Sequence, residues 1–180
     1  MSIDPAALRA FPEFAQLDDA AIEQLRAHLR PIVLAPGSIL FHQGDHDPSL
    51  YLLVEGTVEV RVRPPGGDDQ VAVATLQART LLGELGLLLG VPRTATILTR
   101  TRTVCWQISR DSFYAAVERG EAWTTRLALA IATVLARRFV LARDEVNRHV
   151  DQLPPHPAEP AGKVRELAQL RRRLLSEWSF

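Results

Sequence analysis

Leu81-Leu82-Gly83-Glu84-Leu85-Gly86-Leu87-Leu88-Leu89-Gly90, with Arg93-Thr94-Ala95-Thr96 close behind it, decides how this chain is read. A carboxylate and three glycines interrupt a run of leucines, and one arginine follows. Charge in so apolar a setting needs a partner, because burying it alone is costly. A guanidinium presents a planar fork of donors that matches two phosphate oxygens. A carboxylate only accepts, and suits a pair of sugar hydroxyls. N–H groups at the start of a short helix hold anions, and Gly83 and Gly86 allow a close backbone approach. The residues describe a small pocket for a sugar phosphate. Spacing alone equally admits a simpler reading, in which Glu84 and Arg93 pair with each other at a buried turn.

Upstream, the pattern is one of short strands. Ile32-Val33-Leu34, Ser38-Ile39-Leu40-Phe41, Leu50 to Val54, Thr57 to Val62 and Val71 to Leu76 are rich in β-branched residues. Between them lie Ala35-Pro36-Gly37, Gln43-Gly44-Asp45, Glu55-Gly56 and Pro64-Pro65-Gly66-Gly67-Asp68-Asp69, all turn chemistry. Val58, Val60 and Val62 alternate with Thr57, Glu59 and Arg61, the pattern of a strand with one buried face. Downstream, Thr94 to Leu98 and Thr103 to Ile108 complete the set, and so many short strands predict an antiparallel sandwich or barrel.

Helices flank the strands. Residues 5–30 read as helical through Ala6, Leu8 and Phe11 and then Ile22, Leu25 and Leu29, with Asp18 or Asp19 as a cap. Ser109 is placed to cap a short helix opening at Arg110. A long helix follows from about Glu121 to about Gln152. It carries one stripe through Leu135, Phe139, Ala142, Val146, His149 and Leu153, and a second apolar face through Leu127, Ile131 and Val134.

Leu82-Gly83-Glu84-Leu85-Gly86-Leu87-Leu88 through Pro92-Arg93-Thr94-Ala95-Thr96 resembles the phosphate-binding cassette of cyclic nucleotide-binding domains. These occur in catabolite-activator-like regulators, in the regulatory subunit of cAMP-dependent protein kinase and in cyclic-nucleotide-gated channels. Pro36-Gly37, Gly44-Asp45, Leu50 to Val54 and Gly56-Thr57-Val58-Glu59-Val60 extend the resemblance, which covers roughly residues 10–150. It implies a mainly β fold with flanking helices, a double-stranded β-helix (jelly roll) barrel followed by a long C-terminal helix. It also implies roles. Glu84 would accept from the ribose 2′-OH and Arg93 would pair with the cyclic phosphate. Backbone N–H groups of Gly83, Leu85, Thr94 and Ala95 would assist, and Leu82 and Val73 are candidates for the apolar wall. Arg138 is set against the arginine that reads the base from the long helix in catabolite-activator-like proteins. The threonine and serine that accompany it there are replaced by Ala142 and Arg143. The family favours cAMP over cGMP, while a hydroxyl at Thr94 also suits a syn guanine. In this family the long helix makes a parallel dimer and closes over the ligand.

Composition narrows the function classes. The chain has 180 residues, 47% of them hydrophobic, and a formal net charge of +0, so no global basic field draws in nucleic acid. Its one cysteine, Cys105, excludes an internal disulfide and any multi-cysteine cluster, and is expected to be buried and inert. No basic N-terminal region precedes an apolar run, and no run is long enough to span a bilayer, so a soluble cytoplasmic protein is expected. No Ser/His/Asp or metal-ligating set has a recognisable spacing. His42 and His46 flank a turn and read as polar surface. The chain is expected not to be an enzyme and to need no cofactor.

Three segments are expected: residues 1–152 as the binding domain with its long helix, 153–162 as a Pro-rich linker, and 163–180 as a short basic amphipathic helix. Residues 153–180 are too few for a winged helix-turn-helix, so the resemblance is expected to carry ligand binding but not DNA binding. The expected function is a stand-alone cyclic nucleotide receptor that reorients its long helix and tail for a separate protein effector. The alternative is an adaptor with the same fold that binds no nucleotide and works through its C-terminal helix.

Overall fold

A computed structural model describes residues 3–64 and 66–151. The linker and C-terminal helix expected over 153–180 lie outside the described residues. The chain divides into two units, one ending at Ala136 and the other beginning at Arg137. Among the described residues no helix is long and apolar enough to cross a membrane.

The first unit begins with helices α1 (Pro5–Arg9) and α2 (Asp19–His28). Asp4 caps α1 by accepting from the Ala6 N–H, and Asp18 caps α2 by accepting from Ala21. The segment between them, included in the helical reading of residues 5–30, is not α-helical. Phe11 bonds back to Leu8, Phe14 to Phe11 and Leu17 to Phe14. All four of these side chains are buried. A spacing of three throughout gives successive tight turns, whereas an α-helix would alternate threes and fours.

Eight strands follow: β1 (Arg30–Leu34), β2 (Ile39–Phe41), β3 (Leu50–Glu55), β4 (Thr57–Val62), β5 (Val71–Gln77), β6 (Thr80–Leu82), β7 (Thr96–Thr99) and β8 (Thr103–Ile108). They form two four-stranded sheets ordered β1-β8-β3-β6 and β2-β7-β4-β5, every pair antiparallel. This is the jelly-roll architecture that the strand pattern and the cassette imply. Helix α3 (Glu84–Leu89) lies between β6 and β7, and α4 (Arg110–Glu118) and α5 (Ala122–Asp151) follow β8.

Strand β3 explains how the layers hold together. Leu50, Leu52, Leu81, Trp106 and Ile108 join Leu8, Phe11, Phe14, Ile22, Leu25, Trp123, Leu127 and Ile131 in a core shared with the helices. Tyr51, Leu53, Leu82 and Cys105 point the other way, to Phe41, Val58 and Ile97 between the sheets. Side chains alternate along a strand, so a run apolar at every position is a strand covered on both faces. Burial pushes the Cys105 thiol up to about 12, consistent with an unreactive core residue.

One alternation departs from its pattern. The alternation predicts Glu59 on the exposed face of β4, but it is 7% exposed. Arg61 and Arg100 close over it from either side, and their hydrogen bonds hold its carboxyl below the usual range. The alternation marks which residues share a face and says nothing of what covers that face.

The second unit is described for residues 137–151, the distal part of α5. Phe139, Val140 and Leu141 there are 55%, 42% and 69% exposed.

Candidate functional site

The cassette is a short helix clamped by two left-handed glycines. Gly83 (φ 81°) precedes α3 and Gly90 (φ 67°) ends it. Gly83 supplies no side-chain cap, so the first-turn N–H groups keep their outward donors without an acceptor inside the helix. Glu84 opens this turn and is 5% exposed, while Leu87 anchors the helix in the core.

Arg93 follows the helix and is buried under the turn. Its backbone N–H donates to the Asp45 carbonyl (2.9 Å), and its carbonyl accepts from Gly44 (2.8 Å). These bonds fix the arginine to the loop between β2 and β3. Its side chain is 1% exposed. Nη2 donates to Asp47 Oδ2 and to the Ser49 carbonyl, each at 2.7 Å, and Nη1 donates to the Gly83 carbonyl at 3.2 Å. The guanidinium carbon lies 4.1 Å from the Phe41 ring centroid and 5.4 Å from that of Tyr51. Nε–H is buried and meets no acceptor. One buried donor of a charged group is thus left without a partner among the described residues.

The glycines make room for this arginine. A Cβ on Gly83 would stand 2.0 Å from Arg93 Nη1, and one on Gly86 would stand 3.2 Å from it. The sequence assigned these residues to close approach of a ligand; the structure gives that space to the guanidinium.

Asp47 is the residue that the sequence did not single out. It accepts from Arg93, from Tyr51 Oη (2.7 Å) and from the Ser49 N–H (3.0 Å). Gln107 on β8 extends the network to Ser49 Oγ and Tyr51 Oη. Burial raises the Asp47 carboxyl, but these bonds more than reverse the effect and hold it at about 2. The Tyr51 hydroxyl is pushed far above its ordinary range by burial and by its bond to that carboxylate. Asp-Pro-Ser is a recognisable side-chain-to-backbone turn in sequence, but nothing local ties it to Arg93, 46 residues away.

The other expected site residues divide. Glu84, Leu85, Arg93, Thr94 and Ala95 are gathered around α3, with Thr94 exposed and Leu85 and Ala95 half-buried. Leu82, expected in the pocket wall, is 2% exposed and packs in the inter-sheet core. Val73 is 59% exposed on edge strand β5. Arg138 belongs to the distal part of α5, described by itself.

The fold also assembles a serine, a histidine and a carboxylate that no sequence spacing announces. His28 Nδ1 lies 2.6 Å from Ser112 Oγ, and its Nε2 lies 3.1 Å from Glu121 Oε2. Glu121 also accepts from Trp123 Nε1 (2.6 Å) and pairs with Arg119 (2.7 Å). Burial opposes its charge, yet the bonds from Trp123 and Arg119 leave its carboxyl below the usual range. With the carboxylate bound on several sides, the set works as a clamp joining the end of α2 to α4 and the start of α5.

Comparison with known proteins fits this geometry. The family model described as "Cyclic nucleotide-binding domain" matches residues 31–119, which span all eight strands but the first residue of β1, the cassette and α4. The N-terminal domain of a transcriptional regulator from Streptomyces coelicolor A3(2) is 33% identical, with a TM-score of 0.58 over 79% of this chain and 95% of that one. The chain belongs to the cyclic nucleotide-binding domain family. Among curated relatives, the acetyltransferase Pat of Mycolicibacterium smegmatis is 32% identical over 108 residues, 60% of this chain and 32% of that protein. The cAMP-dependent protein kinase regulatory subunit of Candida albicans is 30% identical over 100 residues, 56% of this chain and 20% of that protein. The chain thus spans between a fifth and a third of the length of these relatives.

A pH prediction arises here. The Asp47 carboxyl is depressed from 3.8 to about 2 in the folded protein. Its contribution to stability is therefore complete above 3.8 and is lost as pH falls from 3.8 towards 2. Urea denaturation across that window is expected to show a steeper loss in the wild type than in Asp47→Asn. Equal slopes would mean that the carboxylate gains nothing on folding.

Proposed function

We propose that this chain is a receptor for a 3′,5′-cyclic ribonucleotide, cAMP in preference to cGMP, and passes the binding event to a separate protein partner. The observation that supports it most is the buried Arg93 with an orphan Nε–H, set under a helix start whose first residue is the buried Glu84. A cyclic phosphate offers the missing acceptor. The ribose 2′-hydroxyl offers Glu84 a donor, and a deoxyribose forgoes that hydrogen bond to a charged acceptor, worth about 1.5–3 kcal/mol. The preference for adenine rests on the likeness to a cAMP-dependent kinase regulatory subunit. The exposed Phe139, Val140 and Leu141 support pairing with a second copy along α5.

One observation favours the alternative, an adaptor that binds no nucleotide. Both terminal nitrogens of Arg93 are already satisfied inside the protein. Calorimetric titration with cAMP and then cGMP decides between them. Saturable heat with both, and tighter binding of cAMP, is the expected result. No heat with either nucleotide would establish the adaptor reading, with Arg93 as an internal tie.

A further inference from the structure

We propose that Arg110 and Tyr114, on α4, are positioning residues of the nucleotide site: they hold the far end of α3 by its Leu88 carbonyl, and so keep Gly83 and Glu84 in place against Arg93. The inference rests on the cyclic nucleotide reading and adds to it the residues that seat the cassette helix.

Helix α3 has six residues, too few to keep their shape and place without outside contacts. Its Leu88 carbonyl lacks the usual helical donor, because the residue four places on is Pro92, which carries no N–H. Donors reach it from α4 instead. Arg110 Nη2 lies 3.4 Å from that oxygen and Tyr114 Oη lies 3.3 Å from it. The guanidinium also stacks on the Tyr114 ring, 4.9 Å from its centroid. A cation is favourable at a helix C-terminus, where the last carbonyls point. Helix α4 is itself held, since Phe113 and Ala116 sit in the core and His28 lies 2.6 Å from Ser112 Oγ.

The two ends of α3 are built alike. At the first, the left-handed Gly83 leaves room for Arg93, whose Nη1 donates to the Gly83 carbonyl at 3.2 Å. At the second, the left-handed Gly90 leaves room for Arg110, whose Nη1 would stand 2.7 Å from a Cβ there. Releasing the second end lets the helix pivot, and that carries Glu84 and the Gly83 carbonyl away from Arg93. A nucleotide then binds only the fraction of molecules with α3 in place, and the apparent Kd rises by the inverse of that fraction.

Tyr114 is 37% exposed and Arg110 is half-buried, so removing either group leaves the core closed. The full chain, Tyr114→Phe, Arg110→Ala and the double variant are titrated with cAMP and with cGMP. Each single variant is expected to bind cAMP about twofold to tenfold more weakly, the range of one modest hydrogen bond. The factor should be the same for cGMP, because Glu84 and Arg93 take the part common to both ligands. Amide exchange separates positioning from general damage. The Gly90 N–H, bonded to the Gly86 carbonyl at 3.0 Å, should exchange faster in the nucleotide-free double variant than in the wild type, and saturating cAMP should restore its protection. Unaltered affinity in all three variants, a loss that differs between the two nucleotides, or a Gly90 exchange rate that the substitutions leave alone would each overturn the inference. Binding by the wild type that the variants match removes this inference alone; absence of nucleotide binding by the wild type removes the functional reading with it.

Discussion

Replacing Arg93 by alanine is expected to abolish measurable cyclic nucleotide binding. A charge-assisted contact in a buried site is lost, and truncating one partner of such a pair costs about 2–5 kcal/mol, or about 30-fold to several thousandfold in affinity. The protein should weaken as well. Arg93 donates to the Ser49 and Gly83 carbonyls, and the variant loses both bonds, although the Gly83 carbonyl keeps the Leu87 N–H. A buried acceptor left without a donor costs about 1–3 kcal/mol. Asp47 loses its ion-pair partner, and the ring of Phe41 loses the cation stacked 4.1 Å above it. Arg93→Lys separates charge from geometry. An ammonium keeps the charge but cannot span Asp47, the Ser49 carbonyl and the Gly83 carbonyl in one plane. Its affinity should fall between the other two proteins. Titration of the wild type and the two variants alongside urea denaturation distinguishes the terms, and unaltered affinity in Arg93→Ala would sink the proposed pose.

The second large effect is expected from Gly83→Ala, a change of one methyl group. Two penalties act together. At φ 81° any Cβ is strained, which costs about 1–2 kcal/mol. The new atom would also stand 2.0 Å from Arg93 Nη1 and 3.0 Å from the Ser49 carbonyl, so the guanidinium must leave its place. Gly120→Ala is the control, because Gly120 has φ 70° and nothing within 4 Å of its would-be Cβ. It should show the backbone penalty alone. Gly83→Ala should lose several kcal/mol and nucleotide binding together, since the displaced arginine forfeits buried hydrogen bonds. Equal losses in the two variants, with binding intact, would show that the arginine repositions without consequence.

The contrast between these glycines indicates what the sequence could convey. Glycine at position 83 was legible as a special backbone position, and the strands, their turns, the caps at Asp18 and Ser109 and the long helix were legible from period and turn chemistry. These are local properties, written within a few residues of where they act. The network that seats Arg93 was not legible. Asp47, Ser49, Phe41 and Tyr51 come from a loop and two strands more than 40 residues before it, and no periodicity links them to it. The same reason hid the contacts of His28 with Ser112 and Glu121 and the burial of Glu59 by Arg100. The turns over residues 10–17 lie between two helical patterns, and apolar residues three apart do not by themselves tell tight turns from an α-helix.

Strand β3 is apolar from Leu50 to Val54 except for one atom, the hydroxyl of Tyr51. A strand with one wet face is aligned by the cost of turning its oily side outwards, because a slip of one residue exposes every buried group. That safeguard is absent where both faces are dry. Sliding β3 by one position would exchange leucines between two cores and expose none of them. The phenol is what makes the two alignments unequal. In the native one it reaches Asp47, and in the slipped one it would enter the helical core with no acceptor. The bond that seats the cassette arginine's counter-ion thus also serves as the alignment key of the central strand. Folding in the correct frame and assembling a competent site become one event.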